Sequence, residues 1–531
     1  MATATPTKKR SKTTAARSNG QTAATTARGS RGRKKRSGVT REDLARLVFV
    51  GSPRISPDGS QIVFQRKHVG EKNEYVTNLW MADATGKGEP RQFTSGGKDG
   101  SPAWSPNGSM IAFIGGREKR HPQIYTIPTE GGEAKKQTNF PEGTISGFRW
   151  SPKGDVLAVA FRQTSDERTK KAEDDRKEKG LSDPPLVVEH EWYRLDGDGY
   201  FGDDRFKLYI VDASTGEQRL LYDKDTLGSM SFDFSPDGKK LAVTTNRHKR
   251  AMLRPELDEI QIIEVRSGKR KAVPGLPKGP KSAVRWSPDG SSLAYAGRED
   301  EDGMYSPENL ELWVCDPNKG NAKSLTGKTD YCLMAIAISD AAEVSFEPML
   351  QWTPDSKSIY MKLGWEGEVH VAKVARRGGE VKMLTSGVYD HEMGNISDDG
   401  KRMAMLRGTF DRPAEAYAGE INASEIRTKP LSDFNGELVK ERAIVRPKAH
   451  RVKTADGSTV HTWVMLPPGE TKSTKKTFPA VLEIHGGPHG QYGVGFFHEF
   501  QMLANEGYVV VYSNPRGSKG YGRDHCAAIK G

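Results

Sequence analysis

The chain has 531 residues, 35% of them hydrophobic and 28% charged, which is too long for one ordinary domain and points to two, or to a large repeat domain plus another. No apolar run approaches the roughly 18 residues of a membrane-spanning helix, and three cysteines (Cys315, Cys332, Cys526) exclude a disulfide framework and show no metal-ligand spacing. The net charge of +12 is local, because residues 1–38 carry eleven Lys/Arg and no acid, which leaves the remainder close to neutral.

Residues 1–38 are mostly Ala, Thr, Ser, Gly, Lys and Arg without an aromatic, and cannot bury enough apolar surface to offset their ordering entropy. They read as a disordered arm. Arg31–Arg36 could serve as a polyanion patch or nuclear address, and the acid-free, Ser/Thr/Arg-rich composition also suits an organelle transit peptide. The favoured reading is a solvated arm with only non-specific nucleic-acid contact, since nothing downstream supports a nucleic-acid function. Order is expected from Thr40, where Thr40-x-x-Asp43 forms a capping box ahead of Leu44, Leu47 and Val48.

A turn motif then recurs: Ser56-Pro57-Asp58-Gly59, Ser105-Pro106-Asn107-Gly108, Ser151-Pro152-Lys153-Gly154, Ser235-Pro236-Asp237-Gly238, Ser287-Pro288-Asp289-Gly290, Thr353-Pro354-Asp355-Ser356 and Ser397-Asp398-Asp399-Gly400. Pro second and Gly fourth suit a type I turn. A large apolar residue precedes each turn (Ile55, Trp104, Trp150, Phe234, Trp286, Trp352, Ile396), and a short apolar strand such as Leu241-Ala242-Val243 follows it. A second alternating strand recurs at Leu79, Ile124, Leu208, Ile260, Leu312, Val369 and, weakly, Ala416. Four strands per unit and seven units predict a seven-bladed β-propeller over 39–440. The longest interval, between Ser151 and Ser235, contains Asp166–Lys179, in which twelve of fourteen residues are charged. That stretch predicts a solvated loop or exposed helix inserted in one blade.

From about Ala443 the repeat stops. Val452–Thr454, Asp456-Gly457 and Val460–Leu466 predict a hairpin. Ala480–Ile484 predicts a buried strand running into His485-Gly486-Gly487-Pro488-His489-Gly490. Phe497–Glu506 has helical spacing, Tyr508–Tyr512 predicts a second buried strand, and Asn514–Gly522 is a glycine-rich loop. Strand, HGGP loop, helix, strand and NPRGSKGYG loop, in this order behind a propeller, resemble the prolyl oligopeptidase family of serine peptidases, in its acylaminoacyl-peptidase and dipeptidyl-peptidase-like branch. The resemblance spans about Thr40 to Gly531.

The resemblance implies a fold, an all-β seven-bladed propeller followed by the N-terminal part of an α/β-hydrolase domain over 441–531. It implies a serine peptidase acting on short or N-acylated peptides, with the propeller gating access and Gly487 supplying one oxyanion-hole N–H. No Gly-x-Ser-x-Gly nucleophile elbow occurs in the sequence, and the Ser/Asp/His triad of the family is absent. Ser518 falls where the family has a structural turn. The chain stops within an expected helix, so it reads as a fragment without peptidase activity. The alternative is a non-catalytic propeller that binds peptides or proteins.

Other residues weigh less. His485 shapes the oxyanion loop or simply packs. Arg516 contacts substrate or braces its loop. Glu189 and Glu191 could hold a peptide amino terminus, but His190 splits them and a charged strand edge is the simpler reading. Cys526 reads as an ordinary helix cysteine. His121, His391 and His498 lack partners at metal-ligand spacing, so no metal or other cofactor is expected. The expected partners are short peptides and no membrane. The expected location is the cytoplasm, with organelle targeting by the arm as the alternative.

Overall fold

A computed structural model describes residues 36–196, 198–302, 306–342, 347–471, 473 and 475–530. The disordered-arm expectation therefore lies, up to residue 35, outside the described residues. Its end is corrected: Ser37 forms a bridge with Arg442. The Thr40 box is present, with Thr40 N–H donating to Asp43 Oδ2 at 2.9 Å, and it opens a 3-10 turn over Arg41–Arg46.

Strands then run antiparallel in sets of four. The first set is Val48–Ile55, Gln61–Val69, Tyr75–Asp83 and Arg91–Gln92, paired in that order. The same order repeats over residues 99–136, 143–222, 232–272 and 281–324. Residues 350–383 and 390–430 form two further sets, joined into one sheet by a parallel bridge between Val369 and Asp390. The charged insertion lies between the second and third strands of its set. There Lys170–Glu178 is an α-helix with no buried residue, and Arg194–Leu195 pairs with Gly199–Tyr200. The second strand of each set is buried on both faces, which explains its continuous apolar run. Phe64 packs with Ala404, Leu406 and Ala416 of the last set, while Val63 packs with Ile111 and Phe113 of the next.

The turns close the sets into a ring. In each Ser-Pro-Asp-Gly turn the serine hydroxyl donates to the side chain two residues on, as Ser235 does to Asp237 at 2.6 Å, and the glycine amide returns to the serine carbonyl. The fourth residue has positive φ, +72° at Gly238, which is why glycine fills it. That glycine has no Cβ, so the proline of the preceding turn lies against it: Pro57 on Gly108, Pro106 on Gly154, Pro152 on Gly238, Pro236 on Gly290 and Pro354 on Gly400. Ser397 of the last turn lies against Gly59 of the first. Asn395 completes the closure, accepting from Ile55 N–H at 2.8 Å and donating to Ile55 O at 2.9 Å.

The joint between the last two sets is sealed by His391, buried to 2% exposure, whose Nδ1 lies 3.0 Å from the Val369 carbonyl. Only a protonated Nδ1 can donate there. Burial, reinforced by His370 and Arg407, lowers the imidazole pKa to about 4. Between the ordinary value and 4 the unfolded chain binds a proton that the folded one does not. This contribution is complete above about pH 6.5 and is lost as pH falls towards 4. Stability should therefore drop by about 2 kcal/mol from pH 7 to pH 5 at this site. His391→Gln should flatten that part of the profile in chemical denaturation, and an unchanged slope would exclude the assignment.

Residues 448–514 form a separate mixed sheet. Lys448–Lys453 pairs antiparallel with Thr459–Met465, which pairs antiparallel with Val509–Asn514, which pairs parallel with Ala480–Glu483. The helix His498–Asn505 packs Phe500 and Ala504 against Val510 and Tyr512. The expectation of two buried strands is corrected. Ala480–Glu483 is an edge strand paired with one neighbour only, and Leu482 within it and Ile484 just after it are 61% and 73% exposed. Val509–Asn514 buries one face, through Val510 and Tyr512. Among the described residues, no helix is long and apolar enough to cross a membrane.

Candidate active site

The His485–Gly490 loop follows the edge strand and faces the glycine-rich loop that follows its neighbour. Asn514 fixes the two together at their base. Its Oδ1 accepts from Tyr492 N–H at 2.7 Å, and its Nδ2 donates to Tyr492 O at 2.7 Å and to the Tyr521 hydroxyl at 2.8 Å. The Tyr521 hydroxyl also meets His461 Nδ1 at 2.9 Å, and the His461 ring lies tilted against Trp463 with centroids 3.9 Å apart. Burial, and then Arg451, lower the His461 pKa to about 4.

Higher up, the loops are stitched twice. His485 Nε2 lies 2.9 Å from Ser518 Oγ, and His489 Nδ1 lies 3.0 Å from Gly517 O and 3.1 Å from Cys526 Sγ. Between these stitches stands Gly487. Its φ is +139°, and a Cβ there would meet His489 N at 2.5 Å and Gly490 N at 2.8 Å, so only glycine fits. The residue is exposed, and its N–H has no acceptor among the described residues. A free, fixed backbone donor beside open solvent can stabilise a developing oxyanion.

The glycine-rich loop is anchored on the opposite side. Lys519 is 5% exposed and donates from Nζ to Pro307 O and Glu308 O at 2.9 Å each and to Ser306 O at 3.4 Å. Arg523 binds Glu308 at 2.9 Å, and its N–H donates to Asp330 at 2.7 Å. Glu366 N–H donates to Gly520 O at 2.8 Å, Val494 N–H to Gly367 O at 2.7 Å, and Ile338 N–H to Gln491 O at 3.1 Å. Asp340 caps the His498–Asn505 helix by accepting from His498 and Glu499 N–H at 2.8 and 2.9 Å. All these partners come from loops of the four-stranded sets, so the ring holds the candidate site from one end.

Ser518 and His485 are paired but cannot attack a substrate. Ser518 is fully buried, and its Oγ also lies 2.7 Å from Pro515 O. A carbonyl substrate has no approach to it. His485 therefore joins the two loops, and its ring also meets Tyr492 edge-on at 5.3 Å. Arg516 pairs with Asp456 in the turn of the Lys448–Met465 hairpin. Glu191 pairs with Arg250 at 2.7 Å. Cys526 is fully buried, and desolvation raises its thiol pKa, so it is no nucleophile. Of these residues the sequence reading pointed to Gly487, His485 and Arg516. It missed Lys519, His489, Asn514 and Tyr521, whose partners lie on other segments; only the polar residues inside an apolar strand end and a glycine-rich loop hinted at them.

Comparison with known proteins agrees with this layout. The TolB β-propeller domain matches residues 39–186, and the prolyl oligopeptidase family matches residues 494–531. The uncharacterized peptidase YuxL of Bacillus subtilis is 33% identical over 504 residues, covering 93% of this chain and 73% of that protein. Dipeptidyl-peptidase 5 of Porphyromonas gingivalis is 26% identical over 506 residues, covering 93% and 70%. Among solved structures, an acylaminoacyl peptidase of Pyrococcus horikoshii superposes with a TM-score of 0.72 at 20% identity, covering 93% of this chain and 69% of that one. At that identity the likeness is one of fold.

Proposed function

The chain belongs to the prolyl oligopeptidase family, and we propose that it supplies the propeller and the oxyanion half of a serine peptidase that cleaves short or N-acylated peptides. The seven four-stranded sets read as seven blades over 39–440, and residues 441–531 read as the opening of an α/β-hydrolase domain. The observation that carries the reading is Gly487. Gly487 is exposed, its N–H has no acceptor among the described residues, and its loop is held by the His485–Ser518 and His489–Gly517 contacts. A propeller that only binds peptides has no use for such a donor.

In this reading the Gly487 N–H receives the charge that develops on the scissile carbonyl oxygen once a serine has attacked it. The second donor and the triad stand on residues outside these 531, which contain no Gly-x-Ser-x-Gly. The 531 residues alone are therefore expected to be inactive. The propeller gates access, because its loops at 306–308, 330–340 and 366–367 lie directly on the site. Arg516, tied to Asp456, serves substrate binding only indirectly by bracing the loop, and His485 does so by shaping it. Dipeptidyl and acylaminoacyl substrates are the classes that the relatives' names suggest. The three cysteines are free and buried, which suits a reducing compartment, and we place the protein in the cytoplasm.

The reading is tested with chromogenic dipeptidyl and acylaminoacyl substrates on a longer product of the same gene that carries Gly-x-Ser-x-Gly in frame. Gly487→Ala keeps the N–H but its Cβ would collide with His489 N and Gly490 N and displace the donor; turnover that falls at least about a hundredfold, as when an oxyanion donor no longer reaches the oxygen, supports it. A longer form that binds peptides without cleaving them would favour the binding-propeller alternative.

A further inference from the structure

The residue before the aromatic or isoleucine at the end of each innermost strand is Arg54, Ala103, Arg149, Asp233, Arg285, Gln351 and Asn395 in turn. Hydrogen bonds show the common register. The Trp104, Trp150 and Trp352 indoles donate to the carbonyls of Arg54, Ala103 and Arg285, each in the preceding set, at 3.0, 3.3 and 3.2 Å. Asp233 and Asn395 both turn to the next set. Asp233 accepts from Trp286 N–H at 2.7 Å, just as Asn395 accepts from Ile55. Three arginines are left at one level of the ring's interior.

Their own bonds are sparse. Arg54 Nη1 donates to Pro53 O at 2.8 Å, Arg149 Nε to Phe232 O at 2.7 Å and Arg285 Nη1 to Val284 O at 2.8 Å. Arg149 has Asp233 at 3.8 Å. Among the described residues, neither Arg54 nor Arg285 has a carboxylate within ion-pair distance; Glu392 acts on Arg54, and Asp233 and Glu347 act on Arg285, from further off, and Glu392 is itself held by Lys362 at 2.7 Å. Burial first, and then repulsion from Arg149, pull both guanidinium pKa values down to about 10. All three residues are half-buried. The cluster stands at the turn end of the inner strands. The opposite end, at Asp390 beside Val369, is the one that carries the Glu366–Gly367 contacts with Gly520 and Val494. A strand of this length puts the arginines roughly 15–20 Å further along the ring.

We infer that Arg54, Arg149 and Arg285 form a carboxylate-binding site that captures short peptides inside the ring, away from the oxyanion loop. Guanidinium forks match a carboxylate bidentately, and an anion there relieves three mutually repelling cations. The peptide as ligand rests on the peptidase reading; the site itself does not. The carboxylate is either the peptide's C-terminus or an acidic side chain.

The test is fluorescence anisotropy with dye-labelled tetrapeptides on the 531-residue chain. Three peptides separate the sources: a neutral free acid, its C-terminal amide, and an amide carrying one Glu. The free acid, the Glu-bearing amide or both should bind at least about tenfold more tightly than the neutral amide. Arg54→Gln and Arg285→Gln should each weaken that binding about tenfold, and Arg285→Lys should restore only part of it. Both Gln variants should keep or raise the melting temperature, which shows that they fold. Equal binding of all three peptides, or variants that bind like the parent, would overturn the inference. Because binding is read without turnover, cleavage by the longer form with unaltered binding in the Gln variants removes only the arginine site. Arginine-dependent binding without cleavage by the longer form removes only the peptidase reading.

Discussion

Lys519→Met should loosen the C-terminal segment from the ring and cost about 3 kcal/mol. The side chains are similar in length, so packing changes little. What changes is the ammonium, which three successive carbonyls at Ser306, Pro307 and Glu308 share. Two terms oppose each other. Desolvating an ammonium is expensive, and removing the charge recovers that cost. Against this, at least two well-formed charge-assisted bonds vanish, and buried carbonyls are left unpaired at about 1–3 kcal/mol each. The second term is larger here because the carbonyls stay fixed by Arg523, which holds Glu308, and by Asp330, which holds Arg523. Limited proteolysis reads the outcome. In the variant, cleavage should begin between 441 and 530 under conditions in which the parent chain resists, while the ring remains intact. A variant that resists like the parent would show that Lys519 does not anchor the glycine-rich loop.

This anchor also shows where the sequence stopped being readable. The ring was legible because each unit repeats a turn whose chemistry is local. Ser235 reaches no further than Asp237 and Lys240, two and five residues on, and Gly238 is needed for its own φ. The HGGP loop was legible for the same reason, since Gly487 is required by atoms two and three residues away. Lys519 was not, because its carbonyl partners lie 211 to 213 residues earlier. His489, in a loop, and Cys526, in the short helix Arg523–Ala527, meet across segments that share no pattern. Ala480–Ile484 misled for a different reason. Its apolar residues mark it as a strand to be covered on both faces, and periodicity does not reveal that Leu482 stands in solvent here. The arginine level was half legible: the register repeats in the sequence, but nothing in it shows that Asp233 and Asn395 bond to the next set.

The largest effect expected is catalytic. Backbone donors lower a barrier only after a nucleophile has engaged the carbonyl. Within these residues the serine nearest the site, Ser518, is fully buried and held between His485 and Pro515 O. Rate enhancement by a full serine-peptidase constellation exceeds about a millionfold, so its presence or absence is unmistakable. The exposed Leu482 and Ile484 add a second expectation: these 531 residues alone should bind a hydrophobic dye at the sheet edge.

The most direct measurement is labelling by a serine-directed fluorophosphonate, with the 531-residue chain and a longer form carrying Gly-x-Ser-x-Gly treated side by side. The account predicts stoichiometric labelling of the longer form, at the elbow serine, and none of the 531-residue chain. Labelling of the 531-residue chain at Ser518 or any other residue would contradict it.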